Sequence, residues 1–168
     1  MFDRVARAYI QVLLTAETML LMASVAGHLL VLTGRGTLYE KYLGALGTAV
    51  IVLGGPTLPF RKKPVGLIMQ IKSCPQWMWK SAAALAIYGI MTLIPLLISP
   101  TSGLFTSSLV SSAFPFGFEA IPICILYSAL WRFRLGGPDL MNSTLISIMF
   151  MILGIAWVLT NQHLIPFR

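Results

Sequence analysis

The sequence predicts an all-α protein embedded in a membrane. The expected form is a polytopic bundle of five transmembrane helices, or four if the second or fourth segment is re-entrant, with its N-terminus inside. Three observations carry this expectation. Apolar residues make up 57% of the 168-residue chain and charged residues only 10%, against about 25% charged in an ordinary soluble domain. The mean hydropathy is +0.84. The apolar residues also fall in five continuous runs of roughly the 20 residues that a helix needs to cross about 30 Å of hydrocarbon. A water-soluble globule has no means of covering so much apolar surface. With only 2 Cys, a disulfide-stapled scaffold is excluded as well.

The first expected span covers 8–32, with Glu17 its only charge. The second, 43–60, is shorter and ends in Gly54, Gly55 and Pro56. The third covers 81–99, the fourth 114–131 with Glu119 inside it, and the fifth 140–159. Barrel strands would alternate in polarity, and these runs do not. Arg4 and Arg7 followed by Ala23-Ser24-Val25-Ala26 resemble a secretory leader. The apolar run exceeds the roughly 7–15 residues of such a leader's core, so a retained anchor is the expectation. All five spans form one integral membrane domain, 1–168. The linker 64–80 mixes Val65, Leu67, Ile68 and Ile71 with Gln70 and Lys72, which suits either a short interfacial helix or an ordinary loop. Trp77, Trp79 and Trp131 stand beside cations at span ends, where amphipathic rings favour the headgroup level.

The formal net charge of +7 is a topology signal. With five spans, nine of the twelve cations share one side: Arg4 and Arg7, then Arg61, Lys62, Lys63, Lys72 and Lys80, then Arg132 and Arg134. Arg35, Lys41 and Arg168 take the other. The positive-inside rule then places the N-terminus inside and the C-terminus outside. The stretch 101–113 carries no charge to fix its side. The cluster Arg61, Lys62, Lys63, Lys72 and Lys80 suits anionic lipids of the inner face, at about 1 kcal/mol per cation, or a docking protein. No basic run interleaved with aromatics points to nucleic acid.

Candidate chemistry is sparse. No HExxH, GxSxG, Walker or GxGxxG pattern is present, which argues against an enzyme. Cys74 and Cys124 are expected as free thiols. Glu17 lies about 13 Å into the first span and Glu119 about 18 Å from the inner end of the fourth, at 1.5 Å per residue. An ionisable group at such depth is costly and should face the bundle interior. A proton relay in a small transporter or channel, a buried link to a partner, or a carboxyl hydrogen-bonded to a serine or backbone carbonyl would each suit this pair. His28 and His163 are predicted at the same face. They are the weak metal candidates of the chain, as axial ligands of a haem in an electron-transfer subunit. Small residues at i, i+4 (Gly44 with Thr48, Ala45 with Ala49, Ala23 with Gly27) suit close helix packing, either internal or against a partner.

Between residues 30 and 63 a further pattern appears. Gly34-Arg35 closes the first span and Thr37 follows. Tyr42-x-Gly44-Ala45 opens the second, and Arg61-Lys62-Lys63 comes after it. In these features the chain resembles the small membrane subunit of superoxide-generating NADPH oxidases, the cytochrome b light chain, including the small oxidase partners of fungi. The resemblance implies a non-catalytic accessory or assembly subunit in the endoplasmic reticulum or plasma membrane. It implies that the partner is a larger haem-bearing chain, which holds haem and FAD while this chain binds no cofactor. Two features depart from the family. Its long Pro-rich cytosolic tail has no counterpart here, and the fifth span is additional, so activation through that tail is not carried over.

Overall fold

The computed structural model describes residues 1–94 and 104–160, leaving aside the side chains of 37–41, 43–44 and 104–108. Among the described residues every regular element is helical. They are α1 (Phe2–Leu32), α2 (Gly36–Gly54), α3 (Leu67–Lys72), α4 (Gln76–Met91), α5 (Leu104–Ala113), α6 (Pro115–Trp131) and α7 (Pro138–Thr160). Two 3₁₀ segments, Gly55–Phe60 and Lys63–Val65, link α2 to α3.

Among the described residues three helices are long and apolar enough to cross a membrane: Phe2–Leu32, Leu109–Trp131 and Pro138–Thr160. The other two expected passes are shorter. The segment 43–60 divides at Gly54, because Pro56 and Pro59 lack the N–H groups that would continue an α-helix, and the chain tightens to 3₁₀ geometry. The third begins earlier than expected, at Gln76, so that Trp77, Trp79 and Lys80 sit on the helix. It runs 16 residues to Met91, and 95–99 lie outside the described residues. The charge-free stretch before the fourth span is helical from Leu104. A single break at Phe114, where Pro115 opens α6, separates it from the span proper.

Helix α6 is the centre of the bundle. Ten of its seventeen residues are buried, and α1 and α4 pack along it. The main core cluster joins Ala6, Ile10 and Leu13 of α1 to Phe60 and to Ile125, Leu126 and Ala129 of α6. Three glycines let backbones approach. A β-carbon at Gly89 would stand 2.8 Å from the Ala113 carbonyl, one at Gly117 3.3 Å from Ala86, and one at Gly154 3.3 Å from Val52. These contacts join α4 to α5, α6 to α4 and α7 to α2. The expected small-residue pairs contribute differently. Thr48 is half-buried and Gly27 buried, while Gly44 lies among the residues whose side chains are not described.

The three basic stretches gather at one end. Arg7 and Arg134 line a common pocket, and the Lys62 ammonium sits 5.8 Å from the Phe133 ring centre. The linker 64–80 is anchored there by Gln70, which is completely buried. Its amide oxygen accepts the Lys62 N–H at 2.9 Å, and its nitrogen donates to the carbonyls of Phe60 at 3.1 Å and Ile125 at 3.5 Å. Ile68 and Met69 of α3 point outward. With Gln70 inside, and Ile68, Met69 and the cation Lys72 outside, the element suits the membrane interface.

Candidate functional site

The inner stripe of α1 sets the site. Its buried positions are Ala6, Ile10, Leu13, Glu17, Leu20, Ser24, Gly27, His28 and Val31, the spacing of one helical face. Three are polar, and all three turn into the bundle. Glu17 and Glu119 are both fully buried. The Ser24 hydroxyl donates to Glu119 Oε1 at 2.5 Å, tying α1 to α6. The second Glu119 oxygen and both Glu17 oxygens have no hydrogen-bond partner. The two carboxyls are close enough for their charges to repel. Glu17 also approaches α2, since a β-carbon at Gly54 would lie 4.0 Å from its Oε1 and 3.8 Å from the Phe118 carbonyl. That carbonyl is the one released by Pro122 inside α6. The structure therefore brings together the two acidic residues singled out in the sequence and surrounds them with apolar helix faces. Ionising both at once would leave two like charges in a medium that solvates neither.

His28 belongs to a second cluster, one turn above Ser24. Its Nδ1 lies 2.8 Å from Ser112 Oγ and its Nε2 2.7 Å from the Tyr88 hydroxyl. Ser112 spends its own proton on the Leu109 carbonyl at 2.9 Å. It therefore accepts from Nδ1–H, and Tyr88 donates to Nε2. Phe116 meets the imidazole edge-on, with ring centres 5.3 Å apart. Both nitrogens are thus engaged in linking α1, α4 and α5, so His28 as placed offers no free lone pair to an iron atom. His163 lies outside the described residues. Among the described residues no group of three His, Cys, Asp or Glu side chains is arranged to hold a metal.

Cys74 and Cys124 are free and buried, and the Cys74 thiol donates to the Cys124 carbonyl at 3.2 Å. Of the basic cluster, Arg61, Lys63, Lys72 and Lys80 are exposed and Lys62 is half-buried. Lys80 rests 5.9 Å from the Trp79 ring centre.

On the flank of the bundle an apolar groove of about 600 Å³ opens between the end of α2 and helices α4 and α6. Gly54, Gly55 and Gly117 line it together with Ile51, Ile90 and Phe118, and Arg61 closes its basic end. Nothing stands within 4 Å of where a β-carbon at Gly55 would be.

The sequence reading did not single out Ser24, Tyr88, Ser112 and Gln70 as network members. The available signal was the helical register of Glu17, Ser24 and His28, which puts them on one face of α1. Nothing local pairs that face with Tyr88 or Ser112, 60 and 84 residues from His28. The chain matches no family model, no curated protein and no solved structure.

Proposed function

We propose that this chain is a non-catalytic accessory subunit that stabilises a larger haem-bearing chain of a membrane NADPH oxidase and thereby supports superoxide production. Its membrane is the endoplasmic reticulum or the plasma membrane, with the basic end inside. The observation that carries the reading is the glycine-lined groove. Helices in lipid associate through small residues that let backbones approach, and Gly55, with open space where a β-carbon would stand, offers such a point in the groove beside Gly54 and Gly117. The groove adjoins the segment 30–63 that resembles the oxidase light chain. In this reading the partner holds haem and FAD, and His28 serves to link α1, α4 and α5. The exposed cations around Arg61 would meet anionic lipids of the inner leaflet.

Affinity purification of the full chain in mild detergent tests the proposal. A larger chain with a haem absorption band should co-purify. Gly55→Trp, which fills the groove at a position with open space, should remove most of that chain while leaving the variant folded. A colourless eluate without a larger chain, or unchanged superoxide production after deletion of this protein, would overturn it.

The three unpartnered oxygens of Glu17 and Glu119 favour a second reading, a small proton-coupled transporter in which the pair takes up and releases a proton. Proton flux in proteoliposomes that falls with Glu17→Gln and Glu119→Gln would support it. Absence of flux, or flux indifferent to both substitutions, would remove it.

A further inference from the structure

A second concavity lies at the basic end, away from both the groove and the acidic pair. It is a half-open recess of about 420 Å³ lined by Arg7 and Gln11 of α1, Leu130 and Trp131 of α6, and Arg134 of the loop before α7. Two guanidinium groups from distant parts of the chain converge on it, with an amide beside them. No carboxylate lines it. Asp3, one turn before Arg7, is not among its residues. Among the described residues no hydrogen bond or ion pair engages either guanidinium. Two exposed guanidinium groups thus border a recess lined by no carboxylate, and arginine pairs of this kind suit phosphate recognition.

The backbone is unusual at one of the two arginines. Arg134 has a φ of 39°, in the left-handed region that residues with a β-carbon adopt rarely. The surroundings also suit a lipid. Trp131 is half-exposed at the helix end, where indole rings sit at headgroup level. Further along α1 the hydroxyls of Thr15 and Thr18 donate to their own helix, to the carbonyls of Gln11 at 3.0 Å and Leu14 at 2.7 Å. With these hydroxyls satisfied by their own helix, the flank beyond the pocket makes little polar demand on an acyl chain.

We propose that the pocket formed by Arg7, Gln11, Trp131 and Arg134 is a binding site for a phosphate-bearing anion, seated between α1 and the loop before α7. Basic pockets between membrane helices on the cytoplasmic side are known receptors for acidic lipid headgroups. The phosphate can belong to an anionic phospholipid or to a small soluble ester. The site is independent of the oxidase reading, since none of its residues lies in the groove.

The test uses the full chain in detergent, titrated with dioleoyl phosphatidic acid, dioleoyl phosphatidylcholine and glycerol 3-phosphate, with bound ligand counted by native mass spectrometry. Phosphatidic acid should bind and phosphatidylcholine should bind at least tenfold more weakly, because its choline cation meets two arginines. Arg7→Gln and Arg134→Gly should each weaken phosphatidic acid by about fivefold. Glycine suits the positive φ at 134, so Arg134→Gly removes the charge without stressing the fold. Arg132→Gln, one loop residue outside the pocket, should change binding by less than about twofold. Glycerol 3-phosphate binding far more weakly than phosphatidic acid upholds the site and assigns it to lipid; equal binding upholds it and assigns it to a soluble phosphate. Phosphatidylcholine binding as well as phosphatidic acid, or both arginine variants binding like the parent while unfolding at the parent's temperature, would overturn the proposal.

Discussion

Helices α6 and α7 are neighbours in the chain and both belong to segments able to cross a membrane, yet the bundle treats them in opposite ways. In the most apolar part of the span Leu109–Trp131, which includes most of α6, 61% of the residues are buried within the protein; in that of α7 the share is 11%. The most apolar part of α7 nonetheless exceeds that of Leu109–Trp131 in mean hydropathy. In water this order would be reversed, because apolarity drives burial. In lipid there is no such drive, and interiors collect what lipid serves poorly: small residues that permit contact and polar groups that need partners. Helix α6 buries Glu119, Cys124 and Ser128 together with Pro122. Helix α7 buries Leu140, Thr144 and Ser147 alone, and Thr144 satisfies itself on the Leu140 carbonyl at 2.7 Å.

The contrast can be tested by substitution on each side of it. The largest effect is expected where polar groups converge on α6. Gln70→Ala would leave the Lys62 N–H and the Phe60 carbonyl without partners and vacate a fully buried site. Each orphaned group costs about 1–3 kcal/mol, so a loss of about 3 kcal/mol is expected in SDS or urea titrations of the detergent-solubilised protein. Next comes Gly89→Ala. Its new β-carbon would sit 2.8 Å from the Ala113 carbonyl, and a backbone atom cannot step aside as a side chain can. Helix α4 must shift, at about 1–3 kcal/mol. The matching change on α7, Gly154→Ala, meets Val52 at 3.3 Å and should cost less than half as much in the same titration.

This division also explains which parts of the molecule the sequence could announce. Continuous apolar runs marked the helices, because hydrocarbon length sets helix length. Members of the three basic stretches lie together, as their alternation with apolar runs suggested: Arg7 shares a pocket with Arg134, and Lys62 sits over Phe133. Two features were hidden. The prolines after Gly54 shorten the second pass, a backbone effect that hydropathy does not register. The helical character of 104–113 was masked by its serines, which favour turns when read locally. For the site, helical register on α1 places Glu17, Ser24 and His28 on one face. What that face meets is decided by contacts as distant as the 95 residues between Ser24 and Glu119, and local periodicity carries no information at that range.

Within the acidic pair a smaller effect is expected. Ser24→Ala removes the single described hydrogen bond to Glu119. Hydrogen bonds between helices in membranes average about 0.6 kcal/mol and reach about 1.7. A destabilisation in that range is expected by the same titration, with the upper end reached if burial leaves Glu119 no other donor. Ser24→Thr keeps the hydroxyl and should recover most of the loss, provided its methyl group fits between α1 and α6. A loss well above 2 kcal/mol would mean that the two carboxyls are held apart by Ser24 and not merely linked through it.

The smallest effect belongs to the outer face of α7. Ile152 is 61% exposed and Leu145 57%, and neither lies in the two core clusters. Trimming such a side chain to alanine exchanges methylene contacts with lipid for other methylene contacts with lipid. Ile152→Ala and Leu145→Ala should therefore each change stability by no more than about 0.5 kcal/mol, while Leu126→Ala in α6, fully buried, should cost about 2 kcal/mol. The smaller number carries the sharper information. A cost above 1 kcal/mol at Ile152 in the isolated chain, rising with protein concentration, would mean that copies of the chain cover this face. A cost that appears only when a larger chain co-purifies would place the partner on α7, and the groove between α2, α4 and α6 would then lose its claim to be the main contact.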